Sequence, residues 1–193
     1  MFGPLEFAQG PTKLEQLQAQ YNIKRVRVSA GINIYHQMGE IGRVRTFFAA
    51  SGRLVSASHH GFFPDSDFIK SDVLDIVLSR ASNLPDNGVN IIYGSGYQSP
   101  DDGTIITTDE EGNCLYRVAV KILRRNISMS EFVLKETHEH GLLIPGTSGS
   151  PVLGSDGNAI GILQEIDVSG KAFGITFNSP SVANALKRAI DRY

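Results

Sequence analysis

The sequence predicts an all-β protein built from two antiparallel β units, each a barrel or a sandwich, with helices only near the two ends of the chain. Three observations lead to this class. Short apolar segments recur along the chain, turns rich in Gly, Asn and Asp separate them, and they form two groups. Because helices do not alternate with these strands, a doubly wound nucleotide-binding sheet is not predicted.

The first predicted element is a short helix within an N-terminal extension, residues 1–22. Thr12 can cap this helix, and Glu15 lies three residues further on, as in a capping box. Three apolar or aromatic side chains then share one face of the helix: Leu14, Leu17 and Tyr21.

The first β unit is predicted over residues 23–96. Apolar and polar residues alternate over 23–35, which is typical of a half-buried strand. Residues 51–53 make a tight connection, and a loop rich in Phe, Pro and Asp follows the third strand. After the strand at 23–35, strands are predicted at 43–50, 54–58, 73–78 and 89–94.

A linker at residues 97–103 and a second β unit over 104–179 are predicted next. The linker sequence YQSPDDG consists mainly of turn-forming residues. Residues 180–193 then form a predicted C-terminal surface helix, with Val182, Leu186 and Ile190 on one face. The strands of the second unit are predicted at 104–108, 115–123, 131–136, 151–154, 159–166 and 172–177.

Composition and charge exclude several classes of function. The chain has 193 residues, a formal net charge of −2 and one cysteine. A protein that binds nucleic acid through its phosphates needs a marked basic excess, so no nucleic-acid partner is predicted. One cysteine allows no internal disulfide. We see no signal peptide and no apolar run long enough to span a membrane, so a cytoplasmic protein is predicted.

No metal or cofactor is predicted. His138, Glu139 and His140 resemble part of a metal site, but no fourth ligand is visible, and an exposed loop is the preferred interpretation. Cys114 lies in a predicted strand, and we interpret it as a small buried hydrophobic residue rather than a nucleophile.

The segment IPGTSGSPVLGSDGNAIGIL, residues 144–163, is the most informative part of the chain. Glycines flank Ser148 on both sides and allow backbone conformations that a Cβ atom forbids. Such a turn can direct the amides of Gly146 and Ser148 at one point, where an oxyanion would develop. A plain surface turn of small residues is the alternative interpretation.

As a pattern, GTSGSP followed by a strand, a turn and a Gly-Ile pair resembles the nucleophile loop of chymotrypsin-like serine proteases. Flaviviral polyprotein proteases carry a similar loop, and glutamyl endopeptidases of the staphylococcal type look alike from the nucleophile to the terminal helix. The resemblance implies two β-barrels, Ser148 as the nucleophile, and an oxyanion hole from the amides of Gly146, Thr147 and Ser148.

The same resemblance requires a histidine and then an acid before the serine, in the chain order of this family. The small-residue run LVSASHHG, residues 54–61, selects His59, with His60 as the neighbouring alternative. The segment LDIVL, residues 74–78, resembles the family's acid followed by an apolar strand, which selects Asp75. Only sixteen positions separate His59 from Asp75, fewer than is usual in this family. The alternative acids are Asp65, Asp67 and Asp72.

By the resemblance, three segments frame the pocket for the residue before the cleaved bond: 137–145, 162–166 and the region around Gly174. Members of the family that select Glu or Gln carry a histidine in the strand after the nucleophile loop, whereas this chain has Leu163 there, followed by two polar residues. An acidic side chain at 165 favours a basic substrate residue, and apolar ones at 142 and 166 favour an apolar residue, so no preference is predicted. The candidate substrate-binding residues are Leu142, Leu163, Gln164, Glu165 and Gly174.

The resemblance therefore implies a serine endopeptidase that hydrolyses peptide bonds without a cofactor. Its short loops and lack of disulfides are typical of viral polyprotein-processing enzymes, whose partner would be a precursor polyprotein in the host cytoplasm. Two alternatives remain. One is a bacterial protease similar to the glutamyl endopeptidases, and the other is an inactive protease-like binding module, which the short interval between His59 and Asp75 suggests.

Overall fold

The computed structural model describes residues 13–26, 34–38, 44–50, 52–59, 63–71, 74–81, 84, 102–126, 131–138, 140–144, 146–167, 169, 171–177, 182, 184, 187 and 188. These residues form a short helix followed by strands. The bounds are α1 Lys13–Tyr21, β1 Ile23–Arg25, β2 Ile34–Met38, β3 Val44–Ala50, β4 Arg53–Ser56, β5 Phe68–Ser71, β6 Ile76–Ser79, β7 Asp102–Thr108, β8 Leu115–Asn126, β9 Glu131–Glu136, β10 Pro151–Leu153, β11 Ala159–Ile166 and β12 Ala172–Thr176.

The first six strands form one antiparallel sheet in the order β1-β2-β3-β4-β6-β5. A tight turn at Gly52, where φ is 74°, joins β3 to β4, as the sequence predicted. The predicted N-terminal helix is also confirmed as α1. Its Leu17 is buried with Tyr35, Phe47 and Phe68 of the sheet, so the helix contributes to the apolar core of the first unit.

Two sequence predictions about this sheet are wrong. Residues 23–35 do not form one strand, because β1 and β2 pair antiparallel with Ile23 opposite Gln37. A period of two is the same in one long strand and in two short ones, so alternation alone does not reveal the reversal. The loop predicted before residue 73 contains β5, which pairs with β6 from Phe68 opposite Ser79 to Ser71 opposite Ile76.

The last six strands close into a barrel in the order β10-β11-β12-β9-β8-β7, with β10 also paired to β7. Strands β9 and β11 have the bounds predicted from the sequence. Strand β7 begins at Asp102, so the last two residues of the predicted linker belong to a strand, and residues 97–101 lie outside the described residues. The all-β prediction is confirmed, with a closed barrel beside a second antiparallel sheet.

Three apolar clusters hold this architecture together. One lies within the first sheet and one within the barrel. The third contains residues from both, including Phe48 and Val55 of the first sheet and Ile106 and Ile162 of the barrel. Since each fully buried side chain of this size stabilises the fold by about 1.5–3 kcal/mol, this shared cluster fixes the two halves against each other.

The predicted C-terminal helix falls mostly outside the described residues. Of residues 180–193 the structure describes Val182, Asn184, Lys187 and Arg188, and Val182 is fully buried in the shared cluster. The strand predicted at 89–94 and the cap residue Thr12 also lie outside the described part. Within that part, no helix has both the length and the apolar character needed to cross a membrane.

Candidate active site

His59 lies just beyond the C-terminal end of β4, an interior strand of the first sheet. The three residues before it are small and buried, so the chain leading to His59 packs inside the core: Ser56, Ala57 and Ser58. The Ser56 hydroxyl donates to the carbonyl oxygen of Thr46 on the neighbouring strand at 2.8 Å. His59 follows in a turn with 38% of its side chain exposed. The backbone before His59 is therefore held by buried contacts, while its imidazole remains accessible to solvent.

The structure brings His59 and Asp75 together. The ring Nδ1 lies 2.5 Å from Asp75 Oδ2, and the His59 amide donates to Oδ1 at 2.7 Å. The Ser58 hydroxyl donates to the same Oδ1 at 3.0 Å. Because an ionised carboxylate only accepts hydrogen bonds, Nδ1 carries the proton, and Nε2 is the basic nitrogen of the neutral ring.

The environment of Asp75 favours its charged form. Burial raises the pKa of the Asp75 carboxyl, but hydrogen bonds from the His59 ring, the Ser58 hydroxyl and the His59 amide outweigh this effect. The net pKa therefore lies below its ordinary value. Asp75 also has a left-handed backbone, with φ of 54°, and its carbonyl oxygen accepts the Ser58 amide at 3.2 Å.

Two of the alternative acids, Asp65 and Asp67, lie away from His59. The Asp67 carboxylate accepts the Tyr21 hydroxyl at 2.6 Å and lies 3.9 Å from the Lys13 ammonium. Asp65 is exposed in the turn before β5. His60 and Asp72 lie outside the described residues. Of the three described candidates for the acid, Asp65, Asp67 and Asp75, Asp75 is the one that bonds to His59.

The lowered pKa of Asp75 has a consequence for stability against pH. A carboxyl with a lowered folded-state pKa stabilises the fold fully above its unfolded-state value of about 4, and this contribution disappears as the pH falls through the folded-state pKa. The difference in free energy of unfolding between the wild type and Asp75→Asn is therefore expected to shrink as the pH falls below about 5 and through the lowered folded-state pKa of Asp75. Urea unfolding at several pH values measures it, and a constant difference would contradict the assignment.

Internal hydrogen bonds shape the loop that carries Ser148. The carbonyl oxygen of Ile144 accepts both the amide of Thr147, at 3.2 Å, and its hydroxyl, at 2.7 Å. The hydroxyl of Ser150 donates to the Thr147 carbonyl at 2.6 Å and lies 2.9 Å from the Thr107 hydroxyl of β7. The small polar residues of the GTSGS sequence thus serve as a scaffold for a tight turn anchored on the barrel.

Two amides of this loop are not used by the turn itself. Gly146 has a φ of 100°, a conformation that favours glycine. The amides of Gly146 and Ser148 donate to no acceptor within the described ranges, whereas the Thr147 amide is bonded inside the loop. Amides without an internal acceptor are those that can stabilise a developing oxyanion.

Gly149 fastens the serine loop to the first sheet. Its φ is 92°, and a Cβ atom here would lie 2.1 Å from the carbonyl oxygen of Thr46 and 2.4 Å from the Ser56 hydroxyl. The Thr46 amide donates to the Ser148 carbonyl at 3.1 Å, and the Gly149 amide donates to the Leu163 carbonyl at 2.8 Å. The backbone around Ser148 is therefore held by both halves of the protein, and only glycine allows this approach.

Gly149→Ala is expected to lower the free energy of unfolding by about 3 kcal/mol, because it adds overpacking against a backbone oxygen to left-handed strain. The matched control is Gly157→Ala, where φ is 82° and no atom lies within 4 Å of the added Cβ. That variant carries only the backbone strain, about 1–2 kcal/mol. Urea unfolding compares the two, and equal losses would contradict the close approach at Gly149.

The Ser148 hydroxyl donates to the carbonyl oxygen of Gln164 at 2.9 Å. A serine hydroxyl has a single proton, so in this arrangement that proton is directed at β11 and not at an imidazole. Ser148 is 6% exposed. Beside it, a cleft of about 360 Å³ is lined by His59, Asp75, Gln164 and Glu165.

The predicted substrate-binding residues divide into two groups. Gln164 and Glu165 line the cleft beside His59. Leu163 is fully buried in the barrel cluster, where Leu142 and Ile166 pack against it at half-burial.

Gly174, the remaining substrate-binding candidate, and Glu136 lie next to these residues. Gly174 lies opposite Leu163 on β12, and a Cβ at Gly174 would come within 2.5 Å of the Ile162 carbonyl oxygen. The Glu136 carboxylate accepts the amides of Leu142 and Leu143 at 3.2 and 3.3 Å, which holds the segment before the serine loop.

No group of His, Cys, Asp and Glu suited to a metal ion occurs among the described residues. The rings of His138 and His140 lie 5.8 Å apart and both residues are exposed, whereas Glu139 lies outside the described residues. The interpretation of Cys114 as a buried strand residue is wrong. Cys114 is exposed and precedes β8, because the turn before it is held by hydrogen bonds to the Asp109 carboxylate.

A closed barrel beside a second antiparallel sheet, with a His–Asp pair on the sheet and a Gly-rich serine loop on the barrel, is the chymotrypsin-like fold of serine proteases. Solved structures agree with this. The chain resembles the active form of the Rv3671c protease from M. tuberculosis, with a TM-score of 0.58 and 13% identity over 82% of this chain and 79% of that one.

Two further structures extend the likeness to other proteases. The NS6 protease from murine norovirus 1 has a TM-score of 0.54 and 16% identity over 72% of this chain and 89% of that one. A Glu endopeptidase has a TM-score of 0.60 and 9% identity over 87% of this chain and 97% of that one. A scan against protein-family models and a search of curated proteins each give no match. The predicted resemblance is thus confirmed at the level of the fold.

Sequence reasoning missed two contacts of this site. The sequence predicts no role for Ser58, although its hydroxyl donates to the Asp75 carboxylate and its amide donates to the Asp75 carbonyl oxygen. Gln164 was assigned to the substrate, although its side-chain amide donates to the carbonyl oxygen of Leu74 at 2.7 Å. The available signal for the second contact is the pair of adjacent polar residues, Gln164 and Glu165, that interrupts the apolar strand.

Proposed function

We propose that the protein is a serine endopeptidase, with Ser148 as the nucleophile, His59 as the general base and Asp75 as the group that orients the imidazole. The observation that carries this proposal is the hydrogen bond between Nδ1 of His59 and Asp75, which leaves Nε2 as the base at the edge of a cleft. A serine hydroxyl is a weak nucleophile at neutral pH, so it needs such a base nearby.

The proposed reaction has two stages. Ser148 Oγ attacks the substrate carbonyl carbon while its proton passes to Nε2 of His59, and the amides of Gly146 and Ser148 stabilise the oxyanion. The carbon–nitrogen bond then breaks as His59 returns the proton to the leaving amine. Water, deprotonated by His59, attacks the acyl-enzyme, and the products are a carboxylic acid and the free Ser148. No metal or cofactor takes part.

The reaction requires the Ser148 hydroxyl to leave the Gln164 carbonyl. Rotation about the single side-chain torsion of Ser148 releases the hydroxyl from this carbonyl oxygen. The bond that is given up is a neutral one, worth about 1 kcal/mol. The arrangement is thus compatible with a resting enzyme that becomes competent when substrate enters the cleft.

Within this class we place the protein with the viral polyprotein-processing enzymes, acting on a precursor polyprotein in the host cytoplasm. The GTSGSP loop and the single cysteine support this branch. The alternative is a bacterial enzyme similar to the glutamyl endopeptidases. The residues of β11 beside the cleft, Gln164 and Glu165, provide no histidine or other cation for a glutamate side chain.

A protease-like binding module is the second candidate. The observation that favours it is the Ser148 hydroxyl bonded to the backbone of Gln164. Such a module would use the same cleft to hold a polypeptide without cleaving it.

The proposal is tested with a fluorophosphonate probe, which reacts covalently with activated serines. We expect the intact wild-type protein to be labelled once, with peptide mass spectrometry locating the probe on Ser148. Cys114 carries an exposed thiol, so Cys114→Ala serves as the control and is expected to be labelled equally.

Digestion of a peptide library completes the test. Cleavage after glutamate would favour the bacterial alternative. A wild type that is neither labelled nor able to cleave the library, yet binds peptides, would overturn the enzyme in favour of the binding module.

A further inference from the structure

Gln164 occupies an irregular position of β11. In the pairing with β12, Leu163 lies opposite Gly174 and Glu165 lies opposite Phe173, so the register shifts at Gln164. An extra residue of this kind bends a strand and redirects its side chain, and such bulges occur often beside active sites. The Gln164 side chain accordingly leaves the alternation of the strand and enters the cleft beside His59.

The redirected side chain reaches the other half of the protein. Its Nε2 donates to the carbonyl oxygen of Leu74 at 2.7 Å, across 90 positions of the sequence. Leu74 directly precedes Asp75, whose left-handed φ of 54° is uncommon for a residue with a Cβ. The hydrogen bond from Gln164 to the Leu74 carbonyl is one of the contacts that hold this turn.

The same residue also meets the nucleophile, because its carbonyl oxygen accepts the Ser148 hydroxyl at 2.9 Å. One residue therefore contacts both the turn that carries the acid and the serine loop. We infer that Gln164 is a positioning residue, whose side-chain amide holds the Asp75 turn at the distance from Ser148 that proton transfer through His59 requires. This inference rests on the proposed serine-protease function and replaces the assignment of Gln164 to substrate binding.

Three variants separate this role from others. Gln164→Met keeps the length of the side chain but has no donor. Gln164→Asn keeps a polar amide and is expected to change the free energy of unfolding little, but its side chain is too short to reach the Leu74 carbonyl. Gln164→Lys restores an N–H donor of similar reach, and measurement in 0.5 M salt screens its added charge. The matched control is Gln20→Met, which removes an exposed hydrogen bond to Tyr21 on α1.

The Met and Asn variants are expected to lower kcat and the rate of fluorophosphonate labelling by about 10- to 100-fold with little change in KM, whereas the Lys variant recovers most of the loss. The Nδ1 proton of His59 is read by NMR, because its bond to Asp75 protects it from exchange. We expect faster exchange in the Met and Asn variants and no change in Gln20→Met. If Gln164 had only a structural role, the Met and Asn variants would have a lower free energy of unfolding. In the folded protein, kcat, the labelling rate and the exchange of the Nδ1 proton would then be unchanged.

The two proposals fail in different ways. Wild-type labelling together with undiminished kcat and labelling in Gln164→Asn would overturn the role of Gln164 and leave the protease intact. An unlabelled wild type would overturn the protease. In that case the exchange of the His59 Nδ1 proton still tests whether Gln164 holds the turn that carries Asp75. Unchanged exchange in Gln164→Asn would overturn this positioning role too.

Discussion

If the proposed function is correct, Ser148→Ala is expected to abolish fluorophosphonate labelling and to lower peptide hydrolysis by about 10⁶-fold, which is the scale of losing the nucleophile in a serine protease. The fold should tolerate the change. The hydroxyl makes one hydrogen bond among the described residues, to the Gln164 carbonyl, and its loss removes about 1 kcal/mol of stability. The approach of the loop to Thr46 depends on Gly149 and on backbone groups, which alanine leaves in place.

The measurement combines labelling, hydrolysis of a peptide found in the library digest, and urea unfolding. Ser155→Ala is the matched control, since Ser155 is an exposed serine in the turn after β10. We expect this control to keep full activity and full labelling. Labelling of Ser148→Ala at an undiminished rate would show that another residue is the nucleophile.

Local pattern was sufficient for most of the second half of the fold. β11 lies at the predicted residues because turns rich in Gly, Asn and Asp flank its apolar run, and β9 does so because its three apolar residues are bounded by charged ones. The first half was harder for a physical reason. β1 and β2 share one alternating pattern, and β5 contains only four residues inside a segment rich in Phe, Pro and Asp. Both depend on partners distant in sequence, which no local window contains.

The candidate site shows the same division. The small residues before His59 and the glycines around Ser148 have local steric roles, and the structure places them in the buried and left-handed positions that such roles imply. Other features depend on contacts between distant segments. The register of β11 shifts between Leu163 and Glu165, and after this shift both Gln164 and Glu165 line the cleft, whereas Leu163 before it is buried in the barrel cluster. No spacing in the sequence predicts that shift.

Replacing Asp75 by asparagine changes the hydrogen bonds to His59 without adding strain to the backbone. Its φ of 54° lies in the left-handed region, which asparagine tolerates as well as aspartate does. The Oδ1 atom accepts two donors, the His59 amide and the Ser58 hydroxyl, so the single amide oxygen of an asparagine is expected to take that place. The amide nitrogen then faces Nδ1 of His59, where Oδ2 now accepts its proton.

Asp75→Asn is therefore expected to lower kcat by about 10⁴-fold. A donor facing Nδ1 requires an unprotonated Nδ1, which places the proton of the neutral ring on Nε2, the atom that must receive the proton of Ser148. The imidazolium that forms during the reaction also loses its carboxylate partner. Steady-state hydrolysis measures kcat and KM, and we expect KM to change little because the substrate does not contact Asp75 in the proposed mechanism.

Asp67→Asn is the matched control for this variant, because Asp67 is also a half-buried aspartate that accepts a side-chain donor. Burial and the hydrogen bond to Asp67 raise the pKa of Tyr21 to about 12, so a fall in the Tyr21 pKa verifies that the control has disrupted its own contact. We expect kcat of Asp67→Asn to equal that of the wild type. If Asp67→Asn lost activity as severely as Asp75→Asn, the loss would reflect the removal of any buried carboxylate, and the orienting role of Asp75 would be contradicted.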